Sequence, residues 1–207
     1  MSVVLLIRHG QASAGAEDYD VLSERGRRQA ELVGAELRKL GMEPTRLLSG
    51  SLNRQRDTAL LAAKGGGWTA PVEVDESWNE FDHGGVIASA GLRPGAADPL
   101  DQAIPRWSSG LHDEDYAESF SAFTDRVGRG FDRLVTQARG VVAVFTSAGA
   151  IAWIAAMLTA GGEPQWRALN RVAVNTGVTR IVVGRRGRTL VSYNEHLHLD
   201  PHSTTYR

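Results

Sequence analysis

The chain begins with a short, uninterrupted run of apolar residues that ends abruptly in polar ones. Residues 3–7, Val-Val-Leu-Leu-Ile, have no polar position on either face, as expected of a central strand buried on both sides. Residues 141–145 show the same uncharged pattern, and the apolar residues 151–158 then predict a buried helix. The hydrophobic pattern therefore predicts buried strands that lead into helices.

Helical spacing recurs along the rest of the chain. Apolar residues repeat at intervals of three and four from Ala30 to Leu40, with Ser23 as a plausible N-cap and Gly41 just past the end. The other predicted elements are a strand at 46–49, a helix at 53–64, a long helix at 120–138, and strands at 178–183 and 189–193 joined by a turn at 185–187. Strands that alternate with helices predict one α/β domain over residues 1–207, a three-layer α/β/α sandwich with a mostly parallel sheet.

Residues 84–111 are the exception to this alternation. The segment is rich in Gly, Ala, Pro and Asp, and Ile104, Trp107 and Leu111 are its sparse apolar anchors. A long, weakly patterned insertion in a compact domain is usually a functional loop, so we predict a lid that sets substrate choice. Such a lid favours small molecules over bulky protein substrates, and a short Gly-Ser link should replace it without loss of the fold.

Composition agrees with an ordinary globular domain. The 207 residues carry a formal net charge of −1, which gives no reason to expect nucleic acid or an anionic membrane as a partner. The absence of cysteine excludes disulfides and thiolate metal sites. The uncharged residues 140–162 are long enough to span a bilayer, but their pattern favours strand, turn and helix. With no secretory pattern at the N-terminus, we expect a cytoplasmic protein without a cofactor; its oligomeric state stays open.

The first strand delivers Arg8, His9 and Gly10 to its carboxyl end. Ligands of open α/β sheets bind at this edge, so a fixed positive charge would stand beside a nucleophile. Glycine next to them permits a sharp turn and a close approach of the backbone to a ligand. This combination suits phosphoryl chemistry.

Two further segments follow in a recognisable order. Residues 22–30 read L-S-E-R-G-R-R-Q-A, and residues 51–59 read S-L-N-R-Q-R-D-T-A. The ordered set R-H-G, L-S-x-x-G-x-x-Q-A and S-L-x-R-x-x-x-T-A resembles the histidine phosphatase superfamily, the phosphoglycerate mutase-like group. The resemblance extends from Val3 to about His198, and it implies the three-layer fold of that family.

The resemblance assigns His9 as the nucleophile. A neutral imidazole nitrogen attacks a phosphate ester, a phosphohistidine forms, and water later removes the phosphate. Arg8 and Arg54 would hold the phosphoryl oxygens, because a guanidinium group makes bidentate contacts to phosphate. Two nearby cations also disfavour protonation of His9. Arg56 falls outside the motif and is interpreted as a surface residue.

The family carries an acidic residue in the region of Glu80. A leaving alkoxide needs a proton, and a buried carboxylic acid can supply it, so Glu80 is the predicted general acid. Asp82 competes for this role, but a residue of an Asx-type turn before His83 is the better interpretation of it.

The chain departs from the family pattern at residues 146–149, Thr-Ser-Ala-Gly, where the family usually has S-H-G-G. Ser147 then stands at the place of a histidine that donates to the phosphate. It either contacts the phosphate or caps the next helix, and both can hold, because a helix N-terminus at a strand end is itself an anion site. His83 is the alternative donor. Structural roles are assigned to His196 and His198.

These features predict a metal-independent phosphatase that acts on a small phosphorylated substrate through phospho-His9. The alternative is a weakly active or inactive relative that binds phosphorylated ligands or a protein partner. Replacing a charged donor by the Ser147 hydroxyl costs about 1–2 kcal/mol, roughly tenfold in rate. Phosphoglycerate mutase activity is less favoured, because residues 80–83, Glu-Phe-Asp-His, lack the R-x-Y-G sequence with which such mutases hold the substrate carboxylate.

Overall fold

The computed structural model describes residues 1–13, 20–93 and 95–206, and a mixed six-stranded sheet forms its centre. The strands are β1 (Ser2–Arg8), β2 (Pro44–Ser49), β3 (Val72–Val74), β4 (Val141–Thr146), β5 (Val178–Gly184) and β6 (Gly187–Glu195). In the order β3-β2-β4-β1-β5-β6, the first four strands run parallel, whereas β5 is antiparallel to both β1 and β6. The predicted β5–β6 hairpin is confirmed, whereas β3 was not predicted because three residues are too few to show a pattern.

Helices cover the sheet in the predicted α/β arrangement. They are α1 (Glu24–Lys39), α2 (Asn53–Gly66), α3 (His83–Ser89), α4 (Pro99–Ser108), α5 (Phe120–Gln137), α6 (Ala148–Leu158) and α7 (Gly162–Val172). Ser23 caps α1 as predicted, since its side chain accepts a hydrogen bond from Gly26 N at 3.0 Å. The α/β fold class predicted from the alternation of strands and helices is therefore confirmed.

The side chains of β1 alternate between two hydrophobic clusters. Val4 and Leu6 belong to a cluster with the apolar residues of α5 and α6, and Leu5 and Ile7 to a second cluster with those of α1 and α2. All four side chains are 0% exposed. Because successive strand residues point to opposite faces, each face of β1 packs against a helical layer. This packing explains why the run has no polar position.

The strand register brings three chain segments to one edge of the sheet. Arg8 at the end of β1 lies opposite Thr146 at the end of β4, and Ser49 at the end of β2 lies opposite Phe145. Because these strands are parallel, the residues that follow them emerge at the same carboxyl edge. His9, Ser147 and the start of α2 are thereby brought to one place.

Residues 84–111 contain helices rather than an open loop, in α3 and α4. Trp107 is 0% exposed and Ile104 5% exposed, both within the cluster of α5 and α6, whereas Leu111 is 77% exposed. Leu111 was therefore wrongly predicted as an anchor. Losing a buried Trp costs about 3–5 kcal/mol, so the structure contradicts the expectation that a short link could replace the segment without loss of the fold.

The uncharged residues 140–162 contain β4 and α6, separated at Ser147. The strand–turn–helix interpretation of this stretch is confirmed. Across the described ranges, no helix is both long enough and apolar enough to cross a membrane.

Candidate active site

Four of the five residues predicted for the site line one cavity at the carboxyl edge of the sheet. Arg8 ends β1 and His9 follows it, Arg54 lies in the first turn of α2, and Glu80 comes from the segment before α3. All four, together with His83, line a cavity of about 310 Å³. The fifth predicted residue, Ser147, is not among the lining residues, although its neighbour Ala148 is.

The imidazole of His9 is 4% exposed and held in one tautomer. Its Nδ1 lies 2.8 Å from Gly10 O, and because a carbonyl oxygen can only accept, Nδ1 carries the proton. Nε2 therefore presents its lone pair, which accepts a hydrogen bond from Arg54 Nε at 3.3 Å. The backbone of His9 is fixed as well, since its N donates to Thr146 O at 2.8 Å.

Burial lowers the pKa of His9 well below the usual histidine value, and the positive charges of Arg8 and Arg54 lower it further. Protonation would place a third positive charge among groups that are already cationic and largely buried. The two arginines act in the predicted direction, but burial is the larger cause. His9 is thus neutral at neutral pH, which is the form in which Nε2 can act as a nucleophile.

A pH titration of the His9 ring is expected to show the neutral imidazole persisting to lower pH than in free histidine. The reason is that desolvation and two guanidinium groups disfavour the proton-bound form. Ring chemical shifts measured by NMR check this, with His9→Ala identifying the His9 signal. A midpoint at or above that of free histidine would contradict the assigned environment.

Arg54 and Arg8 are both 8% exposed, and each is anchored on the protein. Arg54 Nη1 forms an ion pair with Asp20 Oδ1 at 2.6 Å, a partner that the sequence did not reveal. Arg8 Nη1 donates to the carbonyl oxygens of Ala173 and Tyr206. The two cations beside His9 are thus held by acceptors from distant parts of the chain.

Gly10 serves backbone packing rather than a turn. A Cβ on Gly10 would lie 2.4 Å from Gly26 O, and a Cβ on Gly26 would lie 2.1 Å from Gln11 O. Gly10 is not among the described glycines with positive φ. The expected sharp turn at Gly10 is therefore corrected: both motif glycines allow the loop after β1 to pack against the start of α1.

Residues of the L-S-x-x-G-x-x-Q-A and S-L-x-R-x-x-x-T-A motifs form hydrogen bonds with the backbone at and just after the R-H-G motif. Thr58 Oγ1 donates to Arg54 O at 2.6 Å and accepts from Gly10 N at 3.0 Å. Gln29 Oε1 accepts from Gln11 N at 2.9 Å. In the sequence, Thr58 and Gln29 are recognisable only as motif positions. Their hydrogen bonds to Gly10 and Gln11 join residues that are distant in the chain, so the sequence does not show them.

Glu80 reaches the cavity from the stretch that follows the 3₁₀ turn Glu76–Trp78. Its Oε2 accepts from Gly149 N at 3.1 Å, in the first turn of α6, and its Oε1 lies 3.3 Å from Phe81 N. Asp82 is exposed and stands at the N-cap position of α3, but its carboxylate makes no capping hydrogen bond. Of these two carboxylates, Glu80 lines the His9 cavity and Asp82 does not.

The chain matches the model of the histidine phosphatase superfamily (branch 1) over residues 4–196. This chain belongs to the histidine phosphatase superfamily. The match covers nearly all of the described fold, from β1 to the loop after β6.

Relatives and solved structures agree with this membership. The chain is 27% identical over 132 residues to the mitochondrial serine/threonine-protein phosphatase Pgam5 of Drosophila melanogaster, covering 63% of this chain and 39% of that protein. The chain thus spans about two fifths of the length of that curated relative. A mycobacterial glucosyl-3-phosphoglycerate phosphatase in complex with VO3 superimposes with a TM-score of 0.70 at 24% identity, over 94% of this chain and 99% of that one. A phosphoglycerate mutase from Bacillus anthracis gives a TM-score of 0.71 at 19% identity, over 95% and 94%.

Ser147, at the predicted position of the family's second histidine, is 0% exposed. It occupies the N-cap position of α6 but makes no side-chain capping bond, so a hydrogen-bonding cap is contradicted. Its Oγ instead accepts from Gln55 Nε2 at 2.9 Å, and Gln55 Nε2 also donates to Trp78 O at 3.1 Å. Gln55 is a residue of the site region that the sequence analysis missed, because nothing in its motif distinguishes it.

His83, the alternative donor, lines the His9 cavity. Its ring centroid lies 4.5 Å from that of Phe81. Burial lowers the pKa of His83; the negative charge of Glu80 opposes this effect, and Arg54 and Arg8 add to it. His83 thus lies on the same cavity as His9, as a neutral imidazole.

His196 and His198 lie outside the cavity and make local contacts. His198 Nε2 lies 3.0 Å from Thr176 Oγ1, and burial lowers the pKa of His198 to about 4. His196 Nδ1 lies 2.6 Å from Asn194 O. Within residues 1–13, 20–93 and 95–206, no three His, Asp or Glu side chains are arranged to hold a metal ion.

Proposed function

We propose that this chain is a metal-independent phosphatase that hydrolyses a phosphate monoester through a phosphohistidine on His9. The proposal rests mainly on the tautomer and contacts of His9. Its Nδ1 donates to Gly10 O, and its Nε2 accepts a hydrogen bond from Arg54 Nε. A neutral nucleophile beside two anchored guanidinium groups suits transfer of a phosphoryl group, whose reaction needs a nucleophile and fixed positive charge.

The reaction follows in two steps from these groups. His9 Nε2 attacks phosphorus, the bond to the leaving oxygen breaks, and Glu80 gives that oxygen a proton. Water then attacks phosphorus, the nitrogen–phosphorus bond breaks, and the Glu80 carboxylate takes the proton from water. Arg8 and Arg54 stabilise the charge on the phosphoryl oxygens in both steps.

Ser147 is proposed as a neutral donor to the phosphoryl group. Its oxygen accepts from Gln55, which leaves the hydroxyl proton to be donated, and it lies between the end of β4 and the cavity-lining Ala148. A hydroxyl group both accepts and donates, so Gln55 can orient Ser147 without using its proton.

Ser147→Ala is expected to weaken inhibition by vanadate about two- to tenfold, the value of one neutral hydrogen bond. Competitive inhibition constants measure this. Ser49→Ala is the matched control, because Ser49 is also 0% exposed and ends the neighbouring strand β2, but the residue that follows it, Gly50, does not line the cavity as Ala148 does. An equal effect of both substitutions, or none, would remove Ser147 from the site.

The far end of the cavity is proposed to hold the leaving group. Leu100 and Ile104 of α4 line it together with Asp101, which pairs with Arg171 of α7 at 3.4 Å. A volume of about 310 Å³ suits a small organic group. Residues 84–111 thus contribute part of the substrate site, in keeping with the predicted role in substrate choice.

Leu100→Ala is expected to change the ratio of kcat/KM between an aryl and a small aliphatic phosphate about tenfold. The reason is that removing apolar contact from a pocket alters discrimination by 1–3 kcal/mol, that is, at least about tenfold. Leu111→Ala is the control within the same segment, since Leu111 is 77% exposed. An unchanged ratio with Leu100→Ala, or equal changes in both variants, would exclude α4 from substrate selection.

The decisive experiment is turnover of p-nitrophenyl phosphate and of a panel of phosphate esters, with and without a metal chelator. Turnover that survives the chelator supports the proposal. Vanadate binding without turnover of any ester would favour the alternative, an inactive relative that binds phosphorylated ligands. A phosphopeptide belongs in the panel because Pgam5 is a serine/threonine-protein phosphatase.

A cytoplasmic location stays a prediction.

A further inference from the structure

Asp20 joins the start of α2 to the Arg54 side chain. Its Oδ2 accepts from Asn53 N at 2.7 Å, and its Oδ1 lies 3.3 Å from Arg54 N and 2.6 Å from Arg54 Nη1. One carboxylate thus contacts both the backbone and the guanidinium group of Arg54. The Arg54 side chain is 9% exposed and that of Asp20 25%, so water weakens this ion pair less than it would an exposed one.

Helix α2 has no cap from its own sequence. Leu52 occupies its N-cap position and offers no side-chain acceptor for the first N–H groups. These groups need partners, and a negative charge near them is favoured by the helix dipole. Asp20, from a distant part of the chain, supplies both the hydrogen-bond acceptor and the negative charge. The same carboxylate also binds the guanidinium group of Arg54.

The two edges of the Arg54 guanidinium group have different partners. Nη1 meets Asp20, whereas Nε meets His9 Nε2 at 3.3 Å. Because the group is planar and rigid, fixing Nη1 also fixes the direction of the Nε–H bond. A long arginine side chain without such an anchor would have to lose rotamer freedom each time a phosphoryl group bound.

We propose that Asp20 is a positioning residue, which holds Arg54 so that its Nε edge faces the phosphoryl group at His9. The inference rests on the proposed function, because its effect passes through Arg54 to the reacting group. During the reaction the Asp20 contact stays in place, and the Nε edge moves only from His9 Nε2 to a phosphoryl oxygen.

Asp20→Ala is expected to lower kcat about 10- to 100-fold, the cost of misplacing a catalytic group. Asp20→Asn should recover part of that loss, because its amide oxygen can still accept from α2. Ser119→Ala is the control for cap loss alone: Ser119 caps α5, where its Oγ accepts from Ala122 N at 3.1 Å. It should lower Tm but leave kcat unchanged.

The double variant Asp20→Ala/Arg54→Ala separates positioning from stability. If Asp20 acts through Arg54, Asp20→Ala costs less than about threefold in kcat once Arg54 is absent. Fully additive losses, an unchanged kcat with lowered Tm in Asp20→Ala, or a raised kcat would each overturn the inference. Absence of phosphatase activity in the unsubstituted protein would instead contradict the proposed function, so the two failures are distinguishable.

Discussion

Substitution of His9 by alanine is expected to lower phosphatase turnover by on the order of 10⁴-fold or more, since it removes the attacking atom. The same variant should lack the acid-labile, base-stable phosphate that acid-quenched protein carries during turnover. The expectation rests on the neutral, oriented Nε2 of His9, because Gly10 O holds the proton of Nδ1. Stopped-turnover labelling and initial rates measure the two effects.

His202→Ala is the matched control, because His202 is exposed and does not line the His9 cavity. It should retain both turnover and the phosphate label. His9→Asn tests whether any loss comes from an unfilled cavity rather than from the missing nucleophile, since it restores part of the volume. Persistent turnover by either His9 variant would show that another group attacks the phosphorus.

Arg54→Ala is expected to lose at least about 10²-fold in rate, the scale for removing a preorganised donor to developing charge. Arg56→Ala should change the rate less than about twofold, since Arg56 is exposed on the same helix. The pair is matched because both substitutions remove one guanidinium group from α2, two residues apart. Initial rates and vanadate inhibition constants compare them.

Arg54→Ala also leaves Asp20 without the ion pair at 2.6 Å, so part of its effect could come from a disturbed helix start. Arg54→Lys keeps a positive charge but cannot offer the planar fork that phosphate and Asp20 share. We expect a substantial rate loss in this variant with a near-normal Tm. Equal losses for Arg54→Ala and Arg56→Ala would mean that the register of α2 against the phosphoryl group is wrong.

Much of the architecture follows from local pattern. The apolar run at 3–7, the Ser23 cap and the β5–β6 hairpin are each encoded within a few neighbouring residues, and all three are present. The sequence pattern marked residues 84–111 as a distinct segment, but it did not show how the side chains of that segment pack against the rest of the domain. Trp107 is buried because Phe120 and Phe123 of α5 and Trp166 of α7, which belong to separate elements of the chain, pack against its ring.

The residues of the candidate site also fall into two groups, those that the sequence indicated and those that only the structure revealed. The ordered motifs indicated Arg8, His9 and Arg54, because each occupies a fixed place in them, and the resemblance to the family added Glu80 from its region of the chain. The partners that orient them were not visible, since Asp20 lies 34 positions from Arg54 and Gln55 lies 92 positions from Ser147. A hydrogen bond depends on the positions of two side chains in space, and the number of residues between them in the chain does not predict those positions.

The amino-acid sequence was thus sufficient to predict the family, the fold class and four of the side chains that line the cavity, Arg8, His9, Arg54 and Glu80. Three features were revealed by the folded chain alone: Nε2 rather than Nδ1 of His9 carries the lone pair, Ser147 bonds to Gln55 rather than capping α6, and burial outweighs the arginines in lowering the pKa of His9. Each of these depends on solvent exclusion and on the direction of a donor. Both arise when β1, β4 and α2 are packed together, not from any one of them alone.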